Sequence, residues 1–189
     1  MDPLSLLTAA DARLVSLVER LDAATLSALS PCAGWDVRAL LSHTLQSIEA
    51  FASAIDGGPG PDEAELFSGR DILGSDPLGA AKPIIERSHA AWAGTTDWDA
   101  AVTTVLGQMP AGQAIGIITF STLVHSWDLA VAMGESVEFT TSEADLVHAV
   151  GTQLVPPMRP AGLFGPEVPV PDSATPTQRV VAFTGRSPL

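Results

Sequence analysis

Positive charge is scarce in this sequence. Nine Lys and Arg residues, of which only Lys82 is a lysine, stand against 22 Asp and Glu, a formal charge of −13 over 189 residues. A field of that sign repels phosphate backbones and anionic lipid headgroups, which argues against nucleic-acid and membrane partners. Aromatic residues make up 5% of the chain and no basic stripe runs between them, so stacking on single strands is not expected. The single cysteine, Cys32, excludes an internal disulfide and any multi-cysteine zinc module, and it predicts a reducing, cytoplasmic setting. There is no Walker loop, no HExxH and no serine in a nucleophile elbow. No export signal is visible, because the start is acidic and Asp11, Arg13, Glu19 and Arg20 interrupt the apolar residues that follow. The stretch from Ala100 to Trp127 carries no charge, but Gly107 to Pro110 and Gly112-Gln113 break it. What remains is shorter than the roughly 20 residues of a spanning helix.

What is present is helical periodicity. Leu4, Leu7, Ala10, Leu14, Leu17, Val18 and Leu21 predict an amphipathic helix over 3–21, with Asp2 as cap and Pro3 in the first turn. Val37, Leu41, Thr44, Ile48, Phe51 and Ile55 predict a second helix over 35–55, stopped by the run Gly57 to Pro61. Residues 57–75 read as a loop. Asp76-Pro77 opens a third helix reaching Trp92, which Pro83 should kink or displace. Residues 101–106 read as extended, 107–112 as a turn, and 114–133 as a fourth helix ending at Gly134. Ser142 to Asp145 resembles a capping box for a helix reaching Leu154. Eight of the 15 prolines follow, between Pro156 and Pro188. The expected organisation is therefore a helical bundle domain, 1–155, and an ordered Pro-rich strap, 156–189, with a short helix opened by Thr175-Pro176.

Two of the four histidines sit inside long predicted helices. His43 falls about 120° from the centre of its helix's apolar stripe, at about 100° per residue. Small residues (Ala39, Ser47, Ala50, Ala54) accompany it and leave volume beside the imidazole. His125 shares a mixed face with Ser121, Thr122 and Asp128. Imidazoles projected inward from two helices can begin a metal site, although a buried histidine is more commonly a hydrogen-bonded core residue. His89 and His148 are expected to be solvated. Cys32 precedes a helix N-terminus, where the dipole can lower a thiol pKa, but it also fits as a half-buried hydrophobe in a turn.

Residues 32–43, CAGWDVRALLSH, resemble the PCxGWxVRxLLxH opening of actinobacterial proteins related to mycothiol-dependent maleylpyruvate isomerase. Residues 123–130, LVHSWDLA, resemble their LVHxWDLA signature, and the tail from Phe164 to Arg186 resembles an uncharacterised metal-binding subfamily. The wider set is the DinB/YfiT-like superfamily. The resemblance implies an all-α, up-down-down-up four-helix bundle, here with an additional helix and the strap. It further implies a divalent metal, zinc or nickel, held by His43 and His125, with mycothiol as thiol cofactor. The third ligand of the pattern, acidic or His, falls on Ser121, a neutral hydroxyl. Asp128 is then either a substitute ligand or a partner for an imidazole N–H. Trp35 and Trp127 either wall a cofactor pocket or plug the bundle's open end.

Two functions follow. One is a metal- and thiol-dependent transferase or isomerase acting on a small electrophile. It would not be maleylpyruvate isomerisation itself, because the further domain of the full isomerase has no counterpart here. The other is a metal-free small-ligand-binding or structural bundle in which His43, Ser121, His125 and Asp128 form a buried polar network. No sequence feature decides whether the chain forms a homodimer.

Overall fold

The computed structural model describes residues 2–188. Among them lie α1 (Pro3–Val18), α2 (Ala23–Leu26), α3 (Val37–Asp56), α4 (Glu63–Leu66) and α5 (Pro77–Ala93). A hairpin of β1 (Ala101–Thr104) and β2 (Gly107–Pro110) follows, then α6 (Ala111–Ala132), α7 (Thr141–Met158) and α8 (Pro176–Phe183). The helix starts are written in short polar side chains. Asp2 accepts from the Ser5 N–H at 3.0 Å, Asp36 from Ala39 at 2.8 Å and Asp76 from Gly79 at 2.9 Å, each satisfying a donor that a first turn leaves unpaired. α3 ends at Gly57, whose φ of 69° suits a residue without Cβ.

Several boundaries differ from the sequence reading. α5 runs unbroken through Pro83, because the carbonyl it frees belongs to the exposed Gly79 and can be hydrated. The same reason carries α7 through Pro156 and Pro157, whose freed carbonyls lie on exposed Thr152 and Gln153. The capping box of α7 is Thr140 with Glu143, not Ser142 with Asp145. Glu143 is drawn inward by Arg13 of α1 at 2.9 Å, which sets it at the third helical position. The expected turn at 107–112 is β2 plus the first residues of α6, paired Val102 to Met109 and Thr103 to Gln108. The expected loop at 57–75 contains α4 and buries Leu66 and Leu73. His89 is not simply solvated, since its Nε2 lies 2.9 Å from Oδ2 of the fully buried Asp11.

Helix pairings close a ring in the order α1, α6, α3, α5, with α7 packed on the outside of α6 and α8 on α7. Leu7, Leu14, Leu45, Ile48, Trp92 and Ile118 fill the ring. Phe120, Trp127, Phe139, Val147, Val155 and Val181 form a second cluster beneath α7 and α8. α6 therefore has core on both sides, which explains why its residues are apolar nearly all round. At 22 residues and a mean hydropathy of 1.4 over its most apolar window, α6 is long and apolar enough to cross a membrane. However, 78% of that window is buried inside the fold. Burial, rather than the short run expected from the sequence, is what argues against a spanning role.

After α7, one 3₁₀ turn (Arg159–Ala161) leads into an extended path that returns through α8. The Arg159 guanidinium holds both ends of this excursion, donating to the carbonyls of Gly165 at 3.0 Å and Phe183 at 2.5 Å. The two limbs touch at Gly165 and Gly185. Gly185 has φ 90°, and a Cβ there would fall 2.7 Å from the Gly165 Cα.

Candidate functional site

The Asp36 cap starts α3 so that His43 lies two turns along it, 7% exposed, facing α6. Its Nδ1–H donates to the Leu66 carbonyl at 2.5 Å, which fixes the tautomer and leaves the lone pair on Nε2. Trp35 and Phe67 flank the ring at centroid distances of 4.8 and 5.3 Å. Burial, with a smaller contribution from His125, lowers the His43 pKa to about 4, so the imidazole is neutral at pH 7.

His125 meets it across the helix interface, edge to face, with ring centroids 5.2 Å apart. One turn further along α6, Asp128 accepts from the His125 Nδ1–H at 3.0 Å. Asp128 is fully buried and is matched by Arg186, which returns from the C-terminal segment. Nε reaches Oδ1 at 2.9 Å and Nη2 reaches Oδ2 at 2.8 Å. Burial alone would raise the Asp128 pKa, but the guanidinium and the His125 hydrogen bond outweigh it and hold the carboxyl below the ordinary range. Arg186 also donates to the Thr184 carbonyl and to Cys32 Sγ, at 3.3 and 3.6 Å. Burial pushes the Cys32 thiol up to about 11, so it is a neutral thiol and not an activated nucleophile.

Of these groups, Cys32, His43, His125 and Arg186 border a cavity of about 360 Å³. His43, Ser47, Ser121, His125 and Arg186 supply its polar end, and Trp35 forms part of its wall. Leu154 and Met158 of α7, with Leu163, Phe164 and Gly185 beyond it, close the other side. The segment past α7 is thus a cavity wall.

The structure brings together Trp35, His43, Ser121 and His125, and it separates Trp127. Two positions from His125 on a helix is about 200° of rotation, which turns Trp127 into the second core cluster, away from the cavity. Asp128 stands behind His125 with both oxygens engaged, so it orients the imidazole and is not a substitute ligand. Donor atoms of Cys32, His125 and Asp128 lie within 4.8 Å of one another. The Arg186 guanidinium bonds two of these three residues, and a cation between them does not fit. His43 and His125 each have Nδ1 tied and leave Nε2 as the nitrogen that could take an ion. Arg186 and the Leu66 carbonyl escaped the sequence reading. The signal for the first was Asp128 itself, because a carboxylate in so apolar a helix requires a buried cation.

The sequence profile of the mycothiol maleylpyruvate isomerase N-terminal domain matches residues 7–130. Over 193 aligned positions the chain is 28% identical to the uncharacterised protein Rv0738 of Mycobacterium tuberculosis H37Rv, and equally to MT0763 of strain CDC 1551 / Oshkosh. Each alignment covers 99% of both chains. Among solved structures, the mycothiol-dependent maleylpyruvate isomerase superposes with TM-score 0.65 at 19% identity, covering 85% of this chain and 71% of that one. A histidine-to-alanine mutant of that enzyme gives 0.64 at 18%. That likeness is one of fold. Cys32, His43, His125 and Asp128 lie within the matched span and Arg186 lies beyond it. The chain belongs to the mycothiol maleylpyruvate isomerase N-terminal domain family.

Proposed function

We propose that this chain is a cytoplasmic, divalent-metal-binding, thiol-dependent transferase or isomerase acting on a small electrophile, with mycothiol as its thiol. We read the ring of α1, α6, α3 and α5 as the up-down-down-up bundle, and residues 156–189 as a strap packed on the domain 1–155. One observation carries the functional reading. Two imidazoles from facing helices border one cavity, each with its Nδ1 held and its Nε2 left as the free lone pair. Family membership and the mycothiol dependence named for the structural relatives support it.

His43 and His125 would hold the ion, one protein ligand fewer than the three of a typical catalytic zinc centre, with Ser121 beside them. Bound there, zinc or nickel supplies Lewis acidity and lowers the pKa of a thiol or water. The remaining roles belong to the chain. The Leu66 carbonyl and the Asp128 carboxylate fix the two ring orientations. Arg186 keeps Asp128 ionised and thereby keeps the His125 proton on Nδ1. Trp35, Phe67 and the wall beyond α7 exclude water from the polar end.

Elemental analysis of protein purified without a metal-binding tag, after incubation with zinc, tests the reading. The expected result is about one equivalent of zinc per chain, lost in both His43→Ala and His125→Ala. Absence of zinc from the parent protein would overturn it. It would also favour the second reading, a metal-free ligand-binding bundle, for which Ser121 at the third ligand position is the specific support.

A further inference from the structure

Among the described residues, four large apolar side chains are exposed: Leu29, Phe67, Leu106 and Leu163. Single exposed leucines are ordinary. Here, however, three of the four converge: Phe67 after α4, Leu106 in the hairpin turn and Leu163 beyond α7 all border the one cavity. They come from segments far apart in sequence, so no local pattern explains their meeting. Phe120 and Val124, buried on α6, and the half-buried Leu154 of α7 extend this apolar lining.

The charge distribution is equally one-sided. Arg186 is the only residue of the cavity lining that is Arg, Lys, Asp or Glu, and Asp128 grips it with two hydrogen bonds along one edge of the guanidinium. The arginines of the neighbouring segments are also engaged. Arg38 is on Asp71 at 3.1 Å, Arg70 is on Glu65, and Arg159 is on the Gly165 and Phe183 carbonyls. An anionic group in the outer cavity, away from the ion proposed at His43 and His125, would lose its hydration and gain no side-chain cation in return.

We infer that the molecule filling this cavity beyond the histidines is uncharged and largely apolar. The electrophile of the reaction proposed above carries an apolar body packed between Phe67, Leu106 and Leu163 at the mouth and Phe120, Val124 and Leu154 within. This inference rests on that functional reading for the word electrophile. A volume of about 360 Å³ suits a small molecule.

Two fluorescent probes with one carbon skeleton test it: uncharged N-phenyl-1-naphthylamine and its sulfonated form, 8-anilinonaphthalene-1-sulfonate. Binding is titrated on the full chain after chelator treatment, in about 1 M NaCl, where a Debye length of about 3 Å screens the acidic surface. The uncharged probe is expected to bind about tenfold tighter or more. Phe67→Ala and Leu106→Ala, both at exposed positions that leave the core intact, should each weaken it about threefold or more. Leu29→Ala, at an 85% exposed side chain outside the lining, should leave it unchanged. Equal or tighter binding of the sulfonate, uptake of neither probe, or insensitivity to both rim variants overturns the inference. The zinc measurement fails separately. A chain that takes no zinc but prefers the uncharged probe loses the metal reading and keeps the apolar cavity. A chain that takes zinc but prefers the sulfonate does the reverse.

Discussion

At the residue scale, Asp128 and Arg186 form a buried ion pair joined by two hydrogen bonds. Both are withdrawn from water, and each is tolerable only because the other is present. Asp128→Asn leaves a buried guanidinium without a counter-charge and should destabilise the fold by about 3–5 kcal/mol in urea unfolding. Asp128→Asn combined with Arg186→Met should recover much of that loss, because no uncompensated charge remains. A double variant no more stable than the single one would mean that the pair's hydrogen bonds, rather than its charges, carry the effect. The pair was only half legible in the sequence. Asp128 announces a need for a cation, but nothing local says that the cation stands 58 positions later.

At the element scale, α1 and α5 are joined by a titratable contact. Hydrogen bonding to Asp11 raises the His89 pKa above its ordinary 6.5 despite partial burial, while burial raises Asp11 although His89 opposes it. A group whose pKa is raised on folding contributes stability that is present below its unfolded value and lost as pH rises through the folded one. Stability at a pH below the ordinary 6.5 of His89 should therefore exceed stability at a pH above its raised folded value, as His89 loses its proton beside the buried carboxylate. His89→Gln should flatten that slope in urea titrations at the two pH values, and an unchanged slope would remove His89 as its source. Element existence was readable from the chain. Three of the four ring helices (α1, α3 and α5) follow from their apolar spacing and their Asp caps, and α6 from its uncharged run closed by Gly134, whereas the continuity of α5 through Pro83 and the end of α7 do not. Whether a proline ends a helix depends on where its orphaned carbonyl points, and that is decided by which face the fold buries.

At the scale of the whole molecule, two cores share α6, and only the second depends on the excursion beyond α7. That excursion closes on itself at Gly165 and Gly185, where the backbones approach too closely for a side chain. Gly185→Ala demands both a left-handed φ and a Cβ inside the Gly165 backbone, a strain of about 1–3 kcal/mol. Hydrogen exchange should rise across residues 162–188 while amides of α1, α3 and α5 keep their protection. Uniform loss of protection would show instead that the two cores unfold as one unit.

The sequence alone determined the helical class, the acidic surface, the ring helices and the pair of motif histidines, because these follow from spacing, capping and composition within a dozen residues. Tertiary structure alone decided that His43 and His125 meet and that Trp127 faces away from them. It also decided that the hydrogen bonds of both imidazoles are completed by a carbonyl from α4 and a carboxylate held by Arg186. Those outcomes depend on which distant segments share a buried volume. A buried polar group takes whichever partner the packing brings within about 3 Å, wherever that partner lies along the chain.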